Sequence, residues 1–190
     1  MRMALVFSYI LSLFFLLLLS FSPITTPTKP PQDLVYTSCA HARYPNICLR
    51  TLSSYPGPAN SLRDLAQAGV KISISRSHKA SNYLLQFKSH SKRERGALGD
   101  CIQQMSDSVY ELTKTLSELQ NLRKGSEYKW HLSNAETWVS AALTYEDTCL
   151  DGFKEIKVQV RSDVKRAITN VAKVTSNALY LINSLDESRG

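Results

Sequence analysis

The sequence predicts an all-α protein: an up-down-up-down four-helix bundle with an N-terminal disulfide-stapled helical hairpin. Three observations predict it. Long segments repeat apolar residues in steps of three and four, the spacing of a helix seam. Nowhere do β-branched residues alternate with polar ones over a useful length, so no strand competes. The four cysteines can also be paired as two antiparallel helices and one short hairpin would require.

The chain opens with Met1-Arg2, a nearly unbroken apolar stretch from Ala4 to Leu19, then Ser20, Ser22 and Pro23. This is the layout of a secretory signal peptide, expected over residues 1–26. The stretch is short of the roughly 20 apolar residues that a spanning helix needs, and no later segment could cross a bilayer. Secretion puts the four cysteines in an oxidising compartment, where disulfides are expected. Four cysteines allow three pairings. Cys39 and Cys48 flank a Tyr44-Pro45 turn and suit a local bridge. Cys101 and Cys149 remain, each 24 residues from Gly125. A fold-back at Gly125 brings them level, about 36 Å from the bend at 1.5 Å per residue. A zinc site would need C-x-x-C or H-x-x-x-H spacing, which is absent.

Residues 27–32 read as a proline-rich linker, and 33–186 as the folded domain. Within it, 33–58 form the hairpin: two short helices around the first cysteine pair, too small to stand alone. Pro56-Gly57-Pro58 breaks the chain. Residues 61–186 form the bundle. Its first helix is expected from about Leu62, within a pattern of Leu65, Val70, Ile74, Ala80, Leu84 and Phe87 that reaches His90, with a bend near Gly69. Serines on its inward side point to close packing against a neighbour. The second helix begins near Lys92, where Ser91 and Glu94 form an S-x-x-E capping box. Its seam is Leu98, Ile102, Met105, Val109, Leu112, Leu116 and Leu119, with Cys101 at the flank. Residues 121–129 make the bend. The third helix is expected from Asn134, after a second box at Ser133 and Glu136, with Ala135, Trp138, Ala142, Tyr145 and Cys149 facing inward. Gly152 offers a left-handed stop. The last helix runs to about Leu185 with Val164, Ala167, Val171, Val174, Ala178, Leu181 and Leu185 inside.

The formal charge is +7 and the pI about 9.3. Nucleic acid would suit such a charge inside a cell, but the leader argues against it. No catalytic residue is assigned. His41, His78, His90 and His131 lie in no motif, and there is no G-x-S-x-G, phosphate loop or H-E-x-x-H. No E-x-x-H pair suggests a bundle metal site, so no metal or cofactor is expected. Glu146 and Asp147 read as a solvated acidic edge with a partner contact as the alternative. Trp138 and Tyr145 read as core. The basic run Lys88 to Arg95 reads as a solvated turn, with weak attraction to an anionic polymer outside the cell as its functional reading. From the residues alone, the chain is a secreted, disulfide-bonded, helical protein that works by binding.

Several stretches resemble a known family. They are Cys39 to Cys48 with Tyr44-Pro45, Ala97-Leu98-Gly99-Asp100-Cys101, and Thr137-Trp138-Val139-Ser140-Ala141-Ala142-Leu143. They continue in Thr148-Cys149-Leu150-Asp151-Gly152-Phe153 and Thr175-Ser176-Asn177-Ala178-Leu179. The chain resembles the plant invertase/pectin methylesterase inhibitor family, and looks closest to its pectin methylesterase inhibitor branch. The resemblance implies a hairpin followed by a four-helix bundle, with bridges 39–48 and 101–149. It implies an inhibitor, not an enzyme, that binds a pectin methylesterase one to one through its bundle helices and covers the substrate cleft. Demethylesterification of cell-wall homogalacturonan would then be limited. The same domain also precedes some pectin methylesterases; with the chain ending at Gly190, a free-standing, monomeric inhibitor of the apoplast and cell wall is expected.

Candidate interface residues are Asp107, Glu111, Glu136, Ser140, Thr144, Asp147 and Thr148, polar positions off both seams and near the expected clamp. Inhibition of an acid invertase is the alternative within the family, disfavoured because no Pro-Lys-Phe occurs late in the chain. A secreted helical receptor ligand and a pectate-binding wall protein are alternatives from other classes.

Overall fold

The computed structural model describes residues 31–156 and 158–187. The expected signal peptide, 1–26, and linker residues 27–30 lie outside the described residues. Six helices occur among those described: α1 (Pro31–Cys39), α2 (Pro45–Ser53), α3 (Leu62–Leu84), α4 (Lys92–Asn121), α5 (Tyr128–Asp151) and α6 (Val158–Glu187). The last four form the bundle, each packed on two neighbours in the cycle α3–α4–α5–α6. The pair α1–α2 leans on α3 and α6.

Local chemistry sets three of the helix starts. Ser61 and Ser91 lie in extended backbone, and their hydroxyls accept the N–H of Asp64 and Glu94, each at 3.1 Å. The Glu94 carboxylate reaches back to the His90 N–H at 2.6 Å. Side chain and carboxylate thus satisfy N–H groups that a helix start leaves open. Pro45 begins α2, where its missing N–H costs nothing. Gly125 has φ +146° in the bend between α4 and α5, a conformation other residues avoid. Around it α4 and α5 fold back antiparallel, and Cys101 bonds to Cys149 with Cα atoms 4.4 Å apart. Cys39 bonds to Cys48 with Cα atoms 5.5 Å apart.

One side chain pins the turn of the hairpin to α6 by hydrogen bonds. Asn177 on α6 accepts the Tyr44 N–H and donates to the Tyr44 carbonyl, both at 3.0 Å. Val35, Cys39, Ala42, Cys48 and Leu52 then close one end of the bundle core.

That core is in two parts. One apolar cluster lies at the hairpin end and includes Leu65, Val70, Leu112, Leu119, Val139, Ala142, Ala178 and Ile182. The other holds Leu84, Met105, the Cys101–Cys149 bridge, Phe153, Val164 and Ile168. Between them every bundle helix contributes buried polar groups: Ser73 and Ser77, Ser108, Glu146, and Thr175.

Several expectations are corrected. α5 starts at Tyr128, not Asn134; Ser133 lies inside the helix, and its carbonyl accepts the Thr137 hydroxyl. Gly152 caps α5 in right-handed backbone, φ −59°, not left-handed. α3 ends at Leu84, so Phe87 packs against the core from beyond the helix and edge-on to Tyr83. It runs unbroken through Gly69, whose role is proximity: a Cβ there would lie 3.2 Å from the Ala178 Cβ. The α5 core line is Leu132, Ala135, Val139, Ala142, Glu146 and Cys149; Trp138 and Tyr145 are half-buried. Cys101 is central on α4, while Ile102, Val109 and Leu116 flank it. In α6 Ile168 is buried and Ala167 is half-buried.

Glu146 is the largest departure. It is fully buried, not on a solvated edge. The hydroxyls of Ser108 from α4 and Thr175 from α6 donate to the same oxygen, Oε1, at 2.9 Å each. Oε2 has no hydrogen-bond partner among the described residues. Burial pushes the carboxyl up to about 8, the two hydroxyls pull it down, and Asp147 adds a smaller push upward.

Candidate functional site: the outward face of α4 and α5

The α4–α5 pair makes the most extensive helix contact of the bundle and holds the Cys101–Cys149 bridge. Its outward face is therefore held by both packing and a covalent link. On α4, Asp107 is half-buried and accepts a hydrogen bond from the Gln103 amide at 3.0 Å. One turn on, half-buried Glu111 pairs with Lys114 at 3.0 Å. The Lys114 ammonium sits 3.1 Å from the centroid of the Trp138 ring on α5 and 5.3 Å from that of Tyr110. A cation over an aromatic face is worth about 0.5–2 kcal/mol. This contact ties Glu111 to α5 across the helix boundary.

On α5, Ser140, Thr144 and Thr148 are exposed on successive turns. Their order is set by backbone bonds. The Thr144 hydroxyl donates to the Ser140 carbonyl at 3.1 Å, and the Thr148 hydroxyl to the Thr144 carbonyl at 2.7 Å. Each hydroxyl oxygen keeps acceptor capacity for a partner. Asp147 is exposed beside them.

The seven residues do not form one cluster. Asp107 and Glu111 line the α4 edge with Lys114, and the hydroxyls form a rail along α5. Glu136 lies toward α6: burial first, and the Asp186 carboxylate second, push its carboxyl up. Residue-type reasoning missed the aromatic part of the face. Tyr110 is 64% exposed and Trp130 68%. Large aromatics left in water are the type that anchors protein interfaces. Their signal was present in the sequence as aromatics off the helix seams. At the bend end of the face, His131 Nδ1 lies 2.6 Å from Glu118 Oε2.

No group of three or more His, Cys, Asp or Glu side chains that could hold a metal occurs among the described residues. Among them, no helix is long and apolar enough to cross a membrane.

Fold and face together define the class: a disulfide-bonded helical bundle with a polar-aromatic outward face. The chain matches the family described as plant invertase/pectin methylesterase inhibitor over residues 33–181, and it belongs to that family. Pectinesterase inhibitor 3 of Arabidopsis thaliana is 49% identical over 168 residues, covering 84% of this chain and 82% of the relative. The 21 kDa protein of Daucus carota is 36% identical over 163 residues, covering 82% and 84%. The crystal structure of a mutant form of a pectin methylesterase inhibitor from Arabidopsis superimposes with a TM-score of 0.65. It covers 77% of this chain and 93% of that one at 23% identity, a likeness of fold. Family membership makes the chain an inhibitor protein rather than an enzyme.

Proposed function

We propose that this protein is a secreted inhibitor of pectin methylesterase. It binds the enzyme one to one in the plant apoplast, as a monomer, and blocks the substrate cleft with the outward face of α4 and α5. The observation that carries the reading is the 49% identity, over most of both chains, to a relative named as a pectinesterase inhibitor. The physical support is preorganisation. A face fixed by a disulfide and by helix packing loses little conformational freedom on docking, so a modest interface binds well. Tyr110 and Trp130 supply apolar anchor area, and Asp107, Glu111, Ser140, Thr144, Asp147 and Thr148 supply the polar rim.

The test is a titration of oxidised protein against a pectin methylesterase and an acid invertase, following released methanol and glucose. Methanol release is expected to fall linearly to near zero at one equivalent, with invertase untouched. A full methanol rate at saturating protein would refute the reading, and loss of glucose release instead would move the target to invertase.

A further inference from the structure

Away from the α4–α5 face, three adjoining grooves of about 300, 480 and 450 Å³ form one trough. It begins beside the end of α2, follows the α3–α6 boundary and continues along α6, where Ile47 near the start of α2 lines it again. Arg76 and Lys79 line the first two grooves, and Arg166 and Asn170 line the second and third. The ionisable side chains that turn into it, apart from two tyrosines, are Lys71, Arg76, Lys79, Lys165, Arg166 and Lys173, with no carboxylate among the lining residues. Lys71 to Lys79 on α3 and Lys165 to Lys173 on α6 each span about 12 Å of helix axis.

These cations are under-compensated. Asp163 pairs with Arg166 at 2.8 Å. Arg76 is half-buried, hydrogen-bonds the Asn170 side-chain oxygen and has no carboxylate partner among the described residues. Burial, and then the nearby Arg50 charge, push its guanidinium down from its ordinary value. Lys173 also lies over the Tyr44 ring, at 5.4 Å. Packing two rows of like charge along one groove costs self-repulsion, and an anion laid between them relieves it.

We infer that the α3–α6 trough is a binding site for a linear polyanion, the carboxylate-rich polyuronate that pectin becomes when its methyl esters are removed. The choice of this polyanion rests on the proposed function: it is the product of the enzyme being inhibited. The trough would hold the inhibitor on wall already demethylesterified, while α4–α5 stays available to the enzyme. The run Lys88 to Arg95 is the weaker candidate for the same polymer. Glu94 is buried within it, and Arg93 is already paired to Glu155.

The test uses the full oxidised chain without enzyme. The probes are a labelled, fully de-esterified galacturonate decamer, its fully methyl-esterified counterpart, and phosphatidylserine vesicles. The de-esterified decamer is expected to bind at 20 mM salt and to weaken at least tenfold at 300 mM, because exposed charges are screened. The esterified decamer should bind at least tenfold more weakly. Changing Lys79→Gln, Lys165→Gln and Lys173→Gln together should cost at least tenfold, with the helical circular dichroism unchanged. Changing Lys88→Gln, Lys92→Gln and Arg95→Gln together should cost less than threefold. No binding of the de-esterified decamer, equal binding of both decamers, binding to vesicles alone, or loss confined to the 88–95 variant would each overturn the site. Methanol release is assayed separately on soluble pectin. Decamer binding by a chain that inhibits no esterase would sink the inhibitor reading and leave the site standing; the converse would do the reverse.

Discussion

Glu146 shows how far one carboxyl can shape this bundle. It reaches the middle of the core with two hydroxyls on one oxygen and no cation beside it. That arrangement suits the neutral acid, whose carbonyl oxygen accepts twice. Its folded value of about 8 exceeds the 4.5 of a free glutamate, so the native state binds a proton that the unfolded chain releases between these pH values. The stabilisation is fully present below about pH 4.5 and falls as pH rises, by up to about 1.4 kcal/mol per pH unit. It is gone above about pH 8. Glu146→Gln keeps an oxygen for Ser108 and Thr175 but cannot ionise. At pH 4.5 the variant should be no more stable than the parent, because its amide N–H₂ takes the place of Oε2, which finds no partner. By pH 8 it should be more stable by at least 1 kcal/mol in urea midpoints. Parallel profiles for the two proteins would show that Glu146 does not titrate in this window. Three residues of the Thr175–Leu179 stretch acquire separate reasons in the same way. Thr175 holds Glu146, Asn177 holds the hairpin at Tyr44, and Ala178 leaves room for Gly69.

Helix contact explains Gly69 better than flexibility does. At Gly69 an added Cβ would meet both the Cβ and the Cα of Ala178, at 3.2 and 3.3 Å, so α3 and α6 touch almost backbone to backbone. Gly99, exposed on α4, has nothing within 4 Å of an added Cβ. Gly69→Val should therefore cost about 2 kcal/mol through forced separation of α3 from α6, a fall in Tm of about 4–8 °C. Gly99→Ala should gain about 0.5–1 kcal/mol from helix propensity alone. Thermal unfolding of the two variants checks the pair, and a shift in the same direction for both would contradict it. The four long helices were legible because their 3/4 apolar spacing persists over many turns, and the Gly125 bend because the two cysteines are equidistant from it. The phase of α5 was only partly legible. Ala135, Ala142 and Cys149 are buried as expected, but Trp138 and Tyr145 turn the expected seam to one side, because large aromatics resemble core, whereas Val139 and Glu146 complete the buried line. That turn hid the buried acid and moved the half-buried aromatics inward. Ser133 and Glu136 mimic a capping box, but tertiary packing of Leu132 extends the helix past them. The interface candidates share the same limit. Polar and off-seam identifies a surface, but only side-chain contacts reveal that Glu136 lies toward α6 and that Lys114 bridges to Trp138.

At the scale of the molecule, two faces differ in charge. The α3–α6 trough is lined by lysine and arginine, while α5 carries half-buried Glu136 on its α6 side and exposed Asp147 on its outer side. The acidic pair can be tested without breaking the fold. Glu136 lies near the like-charged Asp186, so Glu136→Lys replaces a repulsion by an attraction across α5–α6. Asp147 is exposed, and a lysine there loses the small push it exerts on Glu146. Neither change opens a cavity or strands a buried group, so the double variant Glu136→Lys/Asp147→Lys should unfold within about 0.5 kcal/mol of the parent. Its encounter with a partner is another matter. The two substitutions, one on the proposed rim and one beside it, alter the local field by four charges, and charges at the edge of a contact act mainly on the association rate. If α5 docks on the esterase as proposed, inhibition should weaken about tenfold, chiefly through slower association, and the difference should shrink at high salt. Surface plasmon resonance against immobilised esterase at 50 and 500 mM salt separates the rates. An unchanged association rate at low salt, in a variant that unfolds like the parent, would remove this side of α5 from the contact and leave the Asp107–Lys114–Trp138 edge as the docking surface to test next.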